Sequence, residues 1–268
     1  MKLFGYPEFD ENGVRTLCTY DNEYSHMLMD VRIYRIPAGE TRSFCRQGEE
    51  IAALLQKGKI KLSAGELSME ASRKDVFSEL PYAAHVCTGD TITIEAIEDA
   101  EVLIQCTHND KIFPAKLYGP KDIPWIYSGA KEKFGNTANR QVNTVFDYEH
   151  EPWSNMVLGE VMNDRGNWSG YLPHSHPQPE CYYFLFDRPE GFGASFVGDQ
   201  VFKSVDGSFS AIPGGELHPQ SAAPGFLMYT CWMIRHLDGK PWLQTDRCED
   251  ERYTWLHDAK IVNQPEFH

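Results

Sequence analysis

The chain has 268 residues, 41% of them hydrophobic and 24% charged, an ordinary globular balance that excludes disorder as the main state. Lys and Arg number 25 against 39 Asp and Glu, a formal net charge of −14, so the long-range field repels nucleic acid and anionic membranes, and neither is expected as a partner. One large domain or two moderate ones can bury a core at this length without disulfide staples.

The opening segment, MKLFGYPEFDENG, carries one lysine, then glycine, proline and acids, with no apolar run behind it, and does not read as a secretory signal. The longest apolar stretches, such as residues 51–55, fall far short of the ~18 residues a membrane span needs. Short β-branched or aromatic runs follow in order at residues 31–36, 60–62, 91–96, 102–105, 142–146, 156–161, 182–186, 195–197 and 226–233. Residues 91–96 (TITIEA) alternate most cleanly, with Ile92, Ile94 and Ala96 on one face. Turn glycines such as Gly39, Gly58, Gly89, Gly198 and Gly207 separate the runs, and no long capped amphipathic helix is apparent. Many short strands with Gly/Pro turns point to an all-β sandwich or barrel. The stretch 119–139 (GPKDIPWIYSGAKEKFGNTAN) is polar, turn-rich and poor in strand pattern, and it splits the chain into near-equal halves. Two β domains are therefore expected, over residues 1–135 and 136–268. Seven scattered cysteines (Cys18, Cys45, Cys87, Cys106, Cys181, Cys231, Cys248) form no CxxC pair. An odd set of this kind points to reduced thiols in a cytoplasmic protein, most of them small buried hydrophobes.

The segment His174-Ser-His176-Pro-Gln-Pro-Glu180 carries the chemistry. Histidines at i and i+2 of a strand share a face, and a tight Pro-rich bend can return the glutamate to it. Further on, Gly207 is followed by five residues, Pro213, Gly214, Gly215, two residues and His218. A Pro-Gly turn before a histidine delivers a third imidazole from another strand. His174, His176, Glu180 and His218 thus make a candidate site for one divalent transition metal such as Zn, Mn, Fe, Ni or Co, with open positions for water or substrate. No organic cofactor is required. The first half has no H-x-H pair; His85 and His108 are isolated there and read as structural.

These two segments resemble the paired motifs of the cupin superfamily, and the second matches its pattern at every fixed position. The first departs from it: no glycine stands six residues before His174, and the glycine after Glu180 is delayed to Gly191. Residues 166–176 (GNWSGYLPHSH) resemble the GNWSS-PPHKH stretch of the 5-deoxyglucuronate isomerases of myo-inositol catabolism. Residues 180–186 (ECYYFLF), 189–193 (PEGFG), 139–142 (NRQV), 48–51 (GEEI) and 72–81 (SRKDVFSELP) are similar to further segments of that family. The resemblance runs from about residue 30 to 255. It implies a bicupin, two double-stranded β-helix (jelly-roll) barrels, with the metal in the C-terminal one. It also implies interconversion of 5-deoxy-D-glucuronate and 2-deoxy-5-keto-D-gluconate, an aldose–ketose isomerisation by proton transfer or hydride shift. An open-sided divalent cation suits either route.

Proton transfer needs a general base. Glu180 is a candidate, and Tyr182, two positions along the same strand face, is a candidate proton donor. Glu160 and His257 are further candidates. The substrate's carboxylate calls for a local cation within an acidic protein, and a bidentate arginine is the usual solution. Arg140 is the first choice and Arg165 the second. Bicupins often pair through exposed barrel faces, so a homo-oligomer is also expected. Three other readings stand beside the main one: a 4-deoxy-5-hexosulose uronate ketol-isomerase of pectin degradation, a cupin Fe(II) dioxygenase, and a non-catalytic bicupin such as a storage or sugar-binding protein.

Overall fold

A computed structural model describes residues 1–129 and 133–259. Residues 130–132 of the stretch between the halves, and residues 260–268 at the end of the second expected domain, lie outside the described residues. The chain is built almost wholly of β-strands, and the only helices among the described residues are three short 3-10 turns.

One nine-stranded assembly is formed by strands between Val14–Cys18 and Lys116–Tyr118. Its backbone is the 16-residue strand Glu49–Ala64. The first half of that strand pairs with Ala83–Val86 and Ala100–His108, the second half with Leu67–Arg73 and Thr91–Ala96. A register shift between Leu55 and Lys57 lets it bend from one sheet into the other, as a bulge does. The apolar runs at 51–55 and 60–62 are therefore parts of one bent strand, although the bulge makes them read as two.

The second assembly is a seven-stranded sheet packed on a four-stranded one. Its central strands are Glu180–Phe186, Met228–Arg235 and Met156–Asn163. Two segments join it from outside the second half: Phe4–Gly5 pairs with Phe209–Ile212, and Trp125–Ser128 pairs with Arg140–Phe146 as an edge strand. Trp125, Ile126 and Tyr127 are all exposed, so this strand shows no alternation of apolar and polar residues. Its place within a turn-rich stretch hides it further.

Strand alternation sorts most buried side chains into three large cores, beside a small cluster of Phe134, Ala138, Leu172 and Leu256. Aliphatic residues such as Ile51, Ala53, Leu55, Ile92 and Ile94 fill the interior of the first barrel. Tyr182, Phe184, Phe186, Trp232 and Ile234 line the interior of the second. Between the barrels, Leu17, Met29, Ile33 and Leu54 of the first meet Cys181, Tyr183, Phe209 and Met233 of the second. Along Glu180–Phe186, even positions thus face the second barrel's interior and odd positions face the first barrel. Buried polar groups cross the same junction. The Glu50 carboxylate accepts from Ser154 Oγ at 2.9 Å and from the Asn155 backbone N–H at 2.6 Å, and pairs with His85 Nε2 at 2.9 Å. The His85 ring stacks on Phe146, with centroids 4.3 Å apart. His85 is thus a tethered core histidine, while His108 stacks on Tyr20.

Candidate metal centre

His174 lies in the short strand His174–Ser175, Glu180 opens Glu180–Phe186, and His218 follows the turn after Phe209–Ile212. That turn docks directly on the first motif. The Gly215 N–H donates to His176 O at 2.8 Å, and a Cβ on Gly214 would stand 1.9 Å from Pro177 O. Gly215 has φ of +90°, a conformation L side chains rarely adopt. The glycines of the second motif are thus required for its histidine to reach the first.

Ligand atoms of His176, Glu180 and His218 all lie within 4.8 Å of one another, and all three residues are buried. His176 Nε2 is 3.0 Å and His218 Nε2 3.2 Å from Glu180 Oε2. The His174 ring stands beside them, its centroid 5.0 Å from that of His218. Each imidazole is held by a backbone carbonyl: His174 Nδ1 by Leu172 O at 2.9 Å, His176 Nδ1 by Gln178 O at 3.0 Å, His218 Nδ1 by Glu216 O at 2.8 Å. A carbonyl only accepts, so every Nδ1 carries the proton and every neutral ring keeps its lone pair on Nε2. Such outer contacts fix the tautomer and orientation of metal-binding histidines. His218 Nε2 is buried without a hydrogen-bond partner despite the nearby carboxylate. Two lone pairs facing one carboxylate leave a cluster that a shared cation satisfies, and this N₂O donor set, with the His174 ring beside it, suits a divalent transition ion.

Burial alone would raise the Glu180 carboxyl, but hydrogen bonds and charge from the His176 and His218 side chains outweigh it and bring its pKa to about 2. Burial would lower His218, but the same carboxylate outweighs it and raises its pKa, so a proton competes with a cation for the His218 Nε2. Burial, aided by the neighbouring His218, pushes His174 down to about 3, so it is neutral at pH 7. Burial and then the charge of Glu180 drive the Tyr182 phenol well up, so it keeps its proton.

A cavity of about 140 Å³ opens on this cluster, room for several waters or a small ligand. Arg140, Tyr182, Thr230, Trp232, Trp242 and Arg247 line it together with His174, His176 and Glu180. Thr230 Oγ1 and the indole nitrogens of Trp232 and Trp242 are buried without partners. A larger cavity of about 640 Å³, lined by Trp168, Phe196 and Tyr253 among others, contains none of the four candidate ligands.

The structure brings Arg140 to the cavity, where Nη1 donates to Ala138 O at 2.7 Å and Nη2 reaches Tyr171 O at 3.5 Å. Burial, then the charge of Arg247, lowers its pKa. Arg165 does not line the cavity: its Nη2 pairs with Asp187 at 2.6 Å and its Nη1 donates to Gly225 O. Nor does Glu160, because Val161 takes the cavity-facing position and Glu160 faces the other side of the strand. There Arg73 grips both its oxygens, Nη1–Oε1 at 2.8 Å and Nη2–Oε2 at 3.0 Å, and Tyr229 OH donates at 2.7 Å. His257 pairs with Glu249 at 2.6 Å outside the cavity. Arg247 escaped the sequence reading, since its neighbours Asp246, Glu249 and Asp250 suggest an ordinary surface ion pair.

Fold and site together define a bicupin with a buried His/Glu cluster suited to a metal ion. The chain belongs to the KduI/IolB family, whose pattern matches residues 5–256. It is 28% identical over 215 residues to the 5-deoxy-glucuronate isomerase of Geobacillus kaustophilus (strain HTA426), covering 74% of this chain and 75% of that one. It is 24% identical over 241 residues to the 5-deoxy-glucuronate isomerase of Bacillus subtilis (strain 168), covering 81% and 85%. Among solved structures, an IolB-like protein from Salmonella typhimurium LT2 superposes with a TM-score of 0.84 at 15% identity, covering 96% of this chain and all of that one. Oxalate decarboxylase from Lactobacillus farciminis gives 0.68 at 12% identity, covering 94% and 90%. No described helix is long and apolar enough to cross a membrane, and all seven cysteines are free.

Proposed function

We propose that this protein is a metal-dependent aldose–ketose isomerase that converts 5-deoxy-D-glucuronate to 2-deoxy-5-keto-D-gluconate in myo-inositol degradation. The observation that carries the reading is the buried cluster of His176, Glu180 and His218, with His174 beside it; His174, His176 and Glu180 share a cavity with Arg140. The relatives named 5-deoxy-glucuronate isomerase supply the substrate. In this reading the barrel within residues 1–135 is a scaffold, and the barrel within 136–268 holds one divalent transition ion on His174, His176, Glu180 and His218. No organic cofactor takes part.

A divalent ion there supplies Lewis acidity for an α-hydroxycarbonyl. Glu180, ionised down to about pH 2, serves as a ligand better than as a general base, because basicity falls with pKa. Tyr182 keeps its proton and lines the cavity, so its O–H donates to an oxygen of the opened sugar. Arg140 receives the substrate carboxylate: its guanidinium faces the cavity and, among the described residues, holds no carboxylate partner. Trp232 and Trp242 line the same cavity, where their rings would limit the access of water to a bound sugar.

Seven free thiols support a cytoplasmic location. The exposed edge strand Trp125–Ser128 supports pairing into a homo-oligomer, which light scattering tests.

The deciding experiment is turnover of 5-deoxyglucuronate by metal-loaded and EDTA-treated protein, followed by NMR in D₂O. Metal-dependent ketose formation is expected, and deuterium gained at the carbon that receives the proton distinguishes proton transfer from hydride shift. No turnover with metal bound would overturn the reading. Turnover of 4-deoxy-5-hexosulose uronate in its place would reassign the substrate, and oxygen consumption would reassign the reaction.

A further inference from the structure

We infer that Arg247 is the second arm of a carboxylate clamp, carried over the metal cavity on a strap of residues 242–249, and that it selects sugar acids over neutral sugars. The inference rests on the sugar-acid isomerase reading of the same site and adds a residue to it.

The strap is fastened at both ends. At its start, the Trp242 N–H donates to His236 Nδ1 at 2.9 Å, and the indole packs against Trp232 at 5.6 Å and His176 at 6.2 Å. Just before it, Gln178 Nε2 donates to Lys240 O at 3.0 Å. At its end, Cys248 and Glu249 pair with Ser175 and His174, the strand that carries the first histidine. Leu243 is half-buried and residues 244–247 are exposed, yet Gln244 and Arg247 line the cavity. Arg247 is thus fixed to the ligand strand on one side and to the cavity wall on the other.

Its guanidinium is unneutralised. Nε donates to Gln244 O at 3.2 Å, and among the described residues no carboxylate pairs with it. Of the twelve arginines, eight hold an Asp or Glu within 4.0 Å among the described residues; among the four that do not, only Arg140 and Arg247 line this cavity. Arg140 shares the cavity and likewise meets only backbone carbonyls. The charge of Arg247 contributes to the lowered basicity of Arg140, a like-charge strain that an anion between them relieves. Two guanidinia without acids, lining one cavity with candidate metal ligands and with the unpaired donors of Thr230, Trp232 and Trp242, match a small polyhydroxy acid. They do not match an uncharged sugar.

The test uses metal-loaded protein, with steady-state kinetics on 5-deoxyglucuronate and calorimetric binding of D-glucuronate and D-glucose. R247Q is expected to raise KM on the order of 10–100-fold, the loss falling on KM rather than kcat. D-glucuronate binding should weaken by the same factor, D-glucose binding should not change, and R247K should recover part of the loss. Metal content and melting temperature should stay at wild-type values, because Arg247 makes a single backbone contact. Unchanged D-glucuronate affinity in R247Q, or equal loss for both sugars, overturns the inference. So does wild-type protein that fails to bind D-glucuronate. A wild type that binds D-glucuronate through Arg247 but does not isomerise 5-deoxyglucuronate would instead refute the isomerase reading alone.

Discussion

Replacing Arg73 by methionine should weaken the junction between the barrels while leaving the reaction intact. Arg73 is 1% exposed and Glu160 2%, and the guanidinium holds both carboxylate oxygens. Removing one partner of such a pair strands a buried charge, which costs about 3–5 kcal/mol. Glu160 would keep the Tyr229 hydroxyl at 2.7 Å and Asn143 Nδ2 at 3.3 Å, so the lower end of that range applies. At ~2–4 °C per kcal/mol for a chain of this size, Arg73→Met should melt roughly 6–12 °C below wild type. Circular-dichroism melts measure the shift. Glu160→Gln is the companion variant, leaving Arg73 with its bonds to Leu55 O and Glu79 O. Turnover well below the melt should match wild type for both, because Glu160 faces away from the cavity that Val161 lines. An Arg73→Met protein with an unshifted melt would show that the pair does not hold the barrels together. A Glu160→Gln protein with a native melt and a collapsed kcat would return Glu160 to the list of reacting groups and refute this reasoning.

Three further outcomes are expected. His174→Ala and His218→Ala should lose bound metal and turnover while far-UV dichroism stays that of a β protein; metal at ~100 times its Kd should stabilise wild type by about 2.7 kcal/mol and neither variant. Normal turnover by either metal-free variant would sink the metal reading. Gly159→Ala places a Cβ 2.4 Å from the Trp232 ring, so the indole must shift in the cavity wall, at ~1–3 kcal/mol of stability and with a measurable loss of kcat/KM. Burial lowers His236 to about 4 from an ordinary value near 6.5, and its neutral Nδ1 accepts the Trp242 N–H. Its contribution is therefore present above about pH 6.5 and is lost as the pH falls towards 4. Urea melts should show wild type losing about 2 kcal/mol more than His236→Gln between pH 7.5 and pH 5; parallel curves would contradict the assignment.

Much of the fold and of the candidate metal site is legible in the sequence because it depends on local spacing. Alternation along residues 91–96 marks a strand, and the structure places a strand at Thr91–Ala96. Two histidines at i and i+2, a glutamate after a Pro-rich bend and a histidine after Pro213-Gly214-Gly215 are backbone arrangements a few residues long. The structure draws His176, Glu180 and His218 together with His174 beside them. The strand Trp125–Ser128 was illegible because its exposed edge carries no period. The partners of charged groups were illegible for a different reason. Arg73 and Glu160 stand 87 positions apart, so nothing local marks the glutamate as part of a clamp between barrels. Arg165, next to the motif, is taken up by Asp187, whereas Arg247, far along the chain among acids, has no carboxylate partner among the described residues and lines the cavity. Sequence by itself thus determines which residues share a strand face or a turn, since covalent geometry sets those distances. Which charges meet, and which are left free for a ligand, only the tertiary structure decides, because Coulomb energy and burial depend on distances that the packing of the two barrels creates.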